Sequence, residues 1–512
     1  MHTYSIFDVY IDISSYKGAK RVRILKREKV GGKWTNKVVK HIGTARDDSE
    51  LEVLKQIAAQ DRSRLMRPNQ LSFDLEHGHT GGIFTLGTYY HGAELVFGDI
   101  FDSLGVSIGR LTPLLRLLTI SRIAHPASKR DTAYWMEESL GSGYSLDQIY
   151  RFLDVVFKKR KQITSSVSSS LSRRYPGAMS FLLYDVTTLY FEISREDPDD
   201  LDGWSGLRKR GYSKDHRADL PQIVLGLCVN ELGMPLSYGI YPGHTYEGRT
   251  LVDQVVRAKD AIGAKEMTVV ADAGMLSRSN ISLISDLGMG YIISARIRSL
   301  DKAKTSEIFS HDFSKAPVSE IRYHNSRLII SYSANRARAD ARRRQASISR
   351  LERLISSNRA IRKHQFLDLK VKQRPTINHQ AIEDAARFDG LKGYLTNNER
   401  LSPSQVISHY NSLPTVERSF RMTKSDLKVR PAFHQRSKRI EAHVVLCMIS
   451  LCVMRILEHE IRDIGYTYPQ AFSIISKTNS ALIGNLRKSH LIPPLYSKEF
   501  KEILAAIGGE TG

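Results

Sequence analysis

Apolar and polar positions along this chain follow two periods, and the places where one gives way to the other mark its organisation. Near the N-terminus "AKRVRILKREKV", "GG" and "KWTNKVVKHIG" alternate around a two-glycine break, which predicts a basic β-hairpin. From about residue 100 to 175 the period turns helical. Leu146, Ile149, Leu153 and Val156 recur at helical spacing after Ser145, a predicted N-cap. An earlier helical stretch closes at Gly141, so the pair forms either a helix-turn-helix DNA reader or an ordinary helical pair. "LLYDVTTLYFEIS", Leu182 to Ser194, then reads as a strand buried on at least one face.

The order of the next elements is informative. "LPQIVLGLCVN" and "LSYGIYPG" form a hairpin around "ELGMP". A helix around "GRTLVDQVVRAKDAIG" precedes the strand "EMTVVADAG", which ends on Asp272. The helix "SRSNISLISDLG" and the strand "GYIISARI" complete a β-β-β-α-β-α-β run, the element order of the ribonuclease H fold. Residues 299–385 interrupt it with a basic helical stretch. Arg336, Arg338, Arg342, Arg343 and Arg344 crowd together there, either along phosphates or on a solvated face. The core resumes at the strand "RFDGLKGYLTNN". "VVLCMISLCVM" is too short to span a bilayer and reads as a buried helix, with His443 beside it as a packing residue.

The predicted architecture is therefore α/β: a ribonuclease H-like mixed-sheet catalytic core with an insertion, preceded by a β-hairpin region and a helical DNA-binding region. The expected divisions are 1–75 (basic, β-rich), 76–175 (helical, DNA-binding), 176–298 (core, first part), 299–385 (insertion), 386–465 (core, second part) and 466–512 (C-terminal tail).

Charge narrows the partner. The 76 Lys and Arg outnumber 54 Asp and Glu, a formal +22, which favours a polyanion and nucleic acid before a membrane surface. The three cysteines, Cys228, Cys447 and Cys452, form no Cys-x-x-Cys pair, so neither a zinc site nor a disulfide framework is supported. A reducing, intracellular setting is expected. The first residues lack the basic-then-apolar order of a signal peptide.

Asp185 is the one acid in an apolar run, and a carboxylate there is costly unless something binds it. In a ribonuclease H sheet its strand neighbours the one ending on Asp272. A third acid is expected from a later helix. Glu417, Arg421, Lys424 and Lys428, spaced four, three and four apart, put one acid and three cations on one predicted helical face. Clustered carboxylates repel unless a cation joins them, and oxygen ligands suit Mg²⁺ or Mn²⁺. Two such ions about 4 Å apart activate a water or 3′-hydroxyl and stabilise the leaving oxygen of a phosphodiester. Asp185, Asp272 and Glu417 are thus the expected catalytic and metal-ligating residues.

These residues resemble the DDE transposases of bacterial insertion sequences, specifically the "IS four" superfamily. Its Y-x2-R-x3-E-x6-K signature is matched at Tyr410, Glu417 and Lys424, with Leu413 in the arginine position and Pro414 breaking the helix behind it. "YDVTT", "VADAG", "GYSKDHRADLPQ", "FDGLKGYLTNN" and "RPAFHQRSKRIEAH" also resemble segments of that family. The resemblance covers roughly 180 to 460. It implies a ribonuclease H-like core with an insertion between the second Asp and the Glu, and Mg-dependent cleavage and strand transfer at terminal inverted repeats. It further implies double-stranded DNA (transposon ends and target) as partner, a homodimer on paired ends, no membrane, and a cytoplasmic, nucleoid-associated place in a bacterium or archaeon. Tyr410, Arg418, Arg421, Lys424 and Lys428 become expected DNA contacts, Arg418 or Arg421 taking the arginine's role. Two other readings stay open: a ribonuclease H-like nuclease without strand transfer, and a non-catalytic DNA-binding protein.

Overall fold

The computed structural model describes all residues but 1–8, 17–18, 31–32, 46, 48–49, 52–53, 56, 59–83, 142, 199–205, 214–216, 264–265, 273–276, 358–363, 369–374, 430–435, 485–488 and 510–512. The Gly31–Gly32 turn, the expected boundary at 75, much of the loop after Ser194 and the segment "RPAFHQ" lie outside the described residues. The chain divides into two compact units. One comprises 1–91, 138–141 and 478–496; the other comprises 92–137, 142–477 and 497–512.

The first unit holds two antiparallel three-stranded sheets. Val9–Tyr16, Ala19–Val30 and Lys33–Ala45 form one. Val30 faces Lys33, so the second and third strands make the hairpin that the alternation predicts. Val22 and Ala45 pack with Leu51 and Ala58 beneath it. Phe84–Tyr89, Ser480–Gly484 and Ser489–Ile492 form the other, which brings C-terminal strands to an N-terminal one.

The second unit is built on an eight-stranded mixed sheet. Its strands are β1 (Phe181–Tyr190), β2 (Gln222–Val229), β3 (Pro235–Pro242), β4 (Thr268–Ala271), β5 (Gly290–Ala295), β6 (Val318–Tyr323), β7 (Ser326–Tyr332) and β8 (Leu391–Thr396). Across the sheet the order is β6-β7-β8-β5-β4-β1-β2-β3. β1, β4 and β5 run parallel; β2 runs antiparallel to β1, and β3, antiparallel to β2, points the same way as β1. The order β3-β2-β1-β4-β5 with these directions is that of a ribonuclease H sheet, and the helices Leu251–Ile262 and Arg278–Asp286 supply the crossovers.

The insertion does more than interrupt. β6 and β7 pair across His324–Asn325, where His324 takes a positive φ of 53°. β8 then returns between β7 and β5, so the insertion's hairpin extends the core sheet. Periodicity points to a helix in this region, and Ala334–Ser356 is one, capped by Ser333. The hairpin before it was legible only in the alternation of "VSEIRYHNSRLIISY". Leu351, Phe366 and Leu367 form a small separate core. Of the five clustered arginines, Arg336, Arg338, Arg342 and Arg343 are exposed, while Arg344 pairs with Asp389 at 2.5 Å.

Behind the sheet runs the helix Ser437–Glu460, buried at every position from Ile440 to Leu457. It is apolar and long enough to cross a membrane, yet here it is sheathed in protein. Helices Thr112–Ala124 and Leu146–Arg174 and strand β3 pack around it. The long helix starts at the Ser145 cap, completed by Gln148 into a capping box, and turns Ile149, Phe152, Leu153 and Val156 inward. The helical region ahead of the core thus shares its hydrophobic interior.

Candidate functional site

The parallel register sets Phe181 opposite Thr268, Leu182 opposite Val269 and Leu183 opposite Val270. Continued two residues, it brings Asp185 level with Asp272, the first residue beyond β4. Alternation then points both carboxylates to the same face. Along β1 every residue from Phe181 to Leu189 is buried except Asp185, which is half-buried, while Asp272 is exposed. The buried carboxylate expected from the run is therefore a break in it, open to a cavity.

Glu417 arrives on the helix Pro414–Arg421, which packs on β1 and β2. Val416 and Phe420 are buried, and the buried Ser419 hydroxyl donates to the Gly233 carbonyl at 2.8 Å. That anchoring leaves Glu417 on the open side. As expected, Pro414 starts a new helix: the preceding one, Pro403–Tyr410, ends before a turn at Asn411–Leu413.

Asp185, Asp272 and Glu417 line one cavity of about 410 Å³ with Tyr410, Leu413 and Lys392. The Tyr410 hydroxyl donates to Asp272 Oδ1 over a long 3.5 Å. Burial, and then the Asp272 charge, push its phenol up to about 12. The Lys392 ammonium lies 4.2 Å from the Tyr410 ring centroid and 5.2 Å from that of Tyr394. Burial holds its pKa below the usual lysine range, Arg336 adds to the depression and Asp272 opposes it.

The predicted cationic face of the Glu417 helix is not continuous. Helix Pro414–Arg421 runs into a wider π turn at Met422–Asp426, closed by the Leu427 amide on the Met422 carbonyl at 2.9 Å. The wider turn rotates each residue less, so the spacing of four, three and four no longer keeps one face. Lys428 lies past the helix with a left-handed φ of 43°. Arg418 pairs with Glu458, which also holds the buried Arg455. Of the expected DNA contacts, Tyr410 lines the cavity, whereas Arg418, Arg421, Lys424 and Lys428 do not. Lys392 is the charged cavity residue that sequence reasoning missed. Its signal lay in "LKGYL", where Lys392 and Tyr394 share a strand face.

Carboxylate oxygens are hard donors of the kind Mg²⁺ and Mn²⁺ take, so the chemistry of the donor set fits such an ion. The spacing is open: among the described residues no three His, Cys, Asp or Glu side chains approach closely enough to form a ready metal-binding group.

A family model described as transposase DDE domain matches residues 176–453, more than half of the chain and the whole span from β1 to the helix behind the sheet. Similar solved structures include the Mos1 transposase paired-end complex with left transposon end, at 13% identity and TM-score 0.15, covering 47% of this chain and 66% of that one. Another is a pre-cleavage Mos1 transpososome, at 12% identity and TM-score 0.15, covering 47% and 67%. The chain thus spans just under two thirds of the first of these proteins. No curated protein matches the chain.

Proposed function

Because the chain belongs to the transposase DDE domain family, we propose that it is the transposase of an insertion sequence, an enzyme that cuts DNA at the element's terminal inverted repeats and joins the ends to a target. The observation that supports this most is the meeting of Asp185, Asp272 and Glu417 on one cavity, from two neighbouring strands and a distant helix. In this reading the three carboxylates hold two Mg²⁺ or Mn²⁺ ions. Such ions, when bound, supply an activated attacking oxygen and a stabilised leaving oxygen.

The chain's own residues do the rest. β1 and β4 fix the two aspartates at one level of a rigid sheet, and the Ser419 anchor holds the helix of Glu417 over them. Tyr410 keeps its proton at neutral pH and so can donate a hydrogen bond to Asp272 or to a DNA oxygen. The exposed arginines of Ala334–Ser356, with Arg418, Arg421, Lys424 and Lys428, attract the backbone outside the cavity. Joining two ends in one event calls for two copies of the chain, and DNA as substrate places it in the cytoplasm with the nucleoid.

The test is an incubation of the purified chain and Mg²⁺ with a plasmid carrying the coding sequence and its flanking DNA, plus a target plasmid. Joined product supports the proposal. Cleavage without joining makes the protein a nuclease, and binding without cleavage makes it a DNA-binding protein; either result overturns it.

A further inference from the structure

Three of the residues lining the cavity are acids, Asp185, Asp272 and Glu417, and one is a cation, Lys392. A DNA phosphate entering that space meets more negative than positive protein charge. Leu413, in the same lining, brings none. The cations nearest in sequence to Glu417 lie off the lining: Arg418 pairs with Glu458, Arg421 is outside the cavity, and the π turn carries Lys424 and Lys428 away from it.

The geometry assigns to Lys392 the task of holding a DNA phosphate at the carboxylate cavity. This rests on the transposase reading. The lysine stands on β8, two strands from Asp272, with Tyr394 next but one on the same strand face. Its ammonium sits against the Tyr410 and Tyr394 rings, whose centroids are 5.2 Å apart. Ring faces attract a cation without neutralising it. Among the described residues Lys392 makes no salt bridge; the Asp272 charge favours its protonated form from beyond ion-pair distance, so the ammonium can also take a phosphate. The aromatic pair also removes much of the rotamer freedom a lysine would otherwise lose on gripping a phosphate.

The discriminating variants are Lys392→Met, which keeps the stem and removes the charge, and Lys392→Arg, which keeps the charge. Lys315→Met is the control, since that side chain is 85% exposed and outside the cavity. Affinity for a duplex of the flanking DNA is measured in EDTA across a salt series, and plasmid cleavage is measured in Mg²⁺. Losing one phosphate contact lowers the slope of log affinity on log salt by about 0.9. Losing one charge-assisted hydrogen bond slows cleavage about 10- to 100-fold. Both changes are expected for Lys392→Met, and neither for Lys315→Met. Lys392→Arg should keep the wild-type slope.

An unchanged slope in Lys392→Met overturns the inference even if cleavage slows, because the lysine would then act only on structure. A changed slope in Lys392→Arg overturns it too. A wild-type chain that cuts nothing, with the slope still falling in Lys392→Met, leaves the phosphate contact standing and sinks the transposase reading instead.

Discussion

Asp185→Asn keeps the shape of a strand residue and removes its charge, so it separates chemistry from binding. Attraction to DNA comes from the basic regions, and carboxylates repel phosphate. Asp185→Asn, Asp272→Asn and Glu417→Gln should therefore each shift a probe of the flanking DNA as the wild type does. Each should lose cleavage and joining by several orders of magnitude. Melting without Mg²⁺ should be unchanged or raised for Asp185→Asn, because one member of a like-charged pair is gone. A variant that cuts at the wild-type rate is not part of the site. A second residue-scale effect concerns pH. The Arg327 guanidinium, bonded to both Glu320 oxygens at 2.7 and 2.8 Å, holds that carboxyl below the usual range. A carboxylate depressed in the folded state contributes stability above its unfolded pKa of about 4.3, lost as pH falls through the folded value. Glu320 is partly exposed, so the contribution is under about 1 kcal/mol. Glu320→Gln should cost that much in urea unfolding at pH 7 and nothing once the wild-type carboxyl is protonated.

At the scale of elements, the aspartate pair depends on how tightly β1 and β2 close. Gly226 faces Val186, beside Asp185. A Cβ there would stand 2.5 Å from the hydroxyl of the buried Tyr184, which is bonded to Thr250 Oγ1 at 2.6 Å. Gly226→Ala should destabilise the chain by about 1–3 kcal/mol, read from the denaturant midpoint. Tyr184→Phe removes the clashing oxygen, and Thr250 keeps its bond to the Glu247 carbonyl. The double variant should then cost less than the sum of the singles; strict additivity would show that the contact is not what excludes a side chain. The Glu417 helix shows the limit of spacing arguments at this scale. Pro414 was a legible start, since proline fits a first turn. The π turn at Met422–Asp426 was not, because no residue type demands one.

Across the whole molecule, an excess of 22 positive charges should make DNA binding steeply salt-dependent. For about six phosphate contacts, affinity should fall about 10³-fold or more between roughly 50 and 200 mM salt. A flat response, by filter binding or anisotropy, would remove the inference from charge. The same scale explains the one long apolar helix. Ser437–Glu460 is greasy because protein surrounds it on all sides, with helices on one side and β3 on another.

Local periodicity by itself determined the N-terminal hairpin and the strand and helix order from β1 to β5. Those features repeat over a few residues, so neighbouring side chains are enough to write them. The levelling of Asp185 with Asp272 followed only through the ribonuclease H topology that this order matches. The place of β8 between β5 and β7, the loss of Lys428 from the Glu417 face, and the presence of Lys392 beside the acids were decided only by tertiary structure. Each depends on contacts between residues far apart in the chain. Strand neighbours are chosen by the burial of whole faces, and a lysine's environment by rings and charges that arrive on other elements, neither of which leaves a period in the sequence.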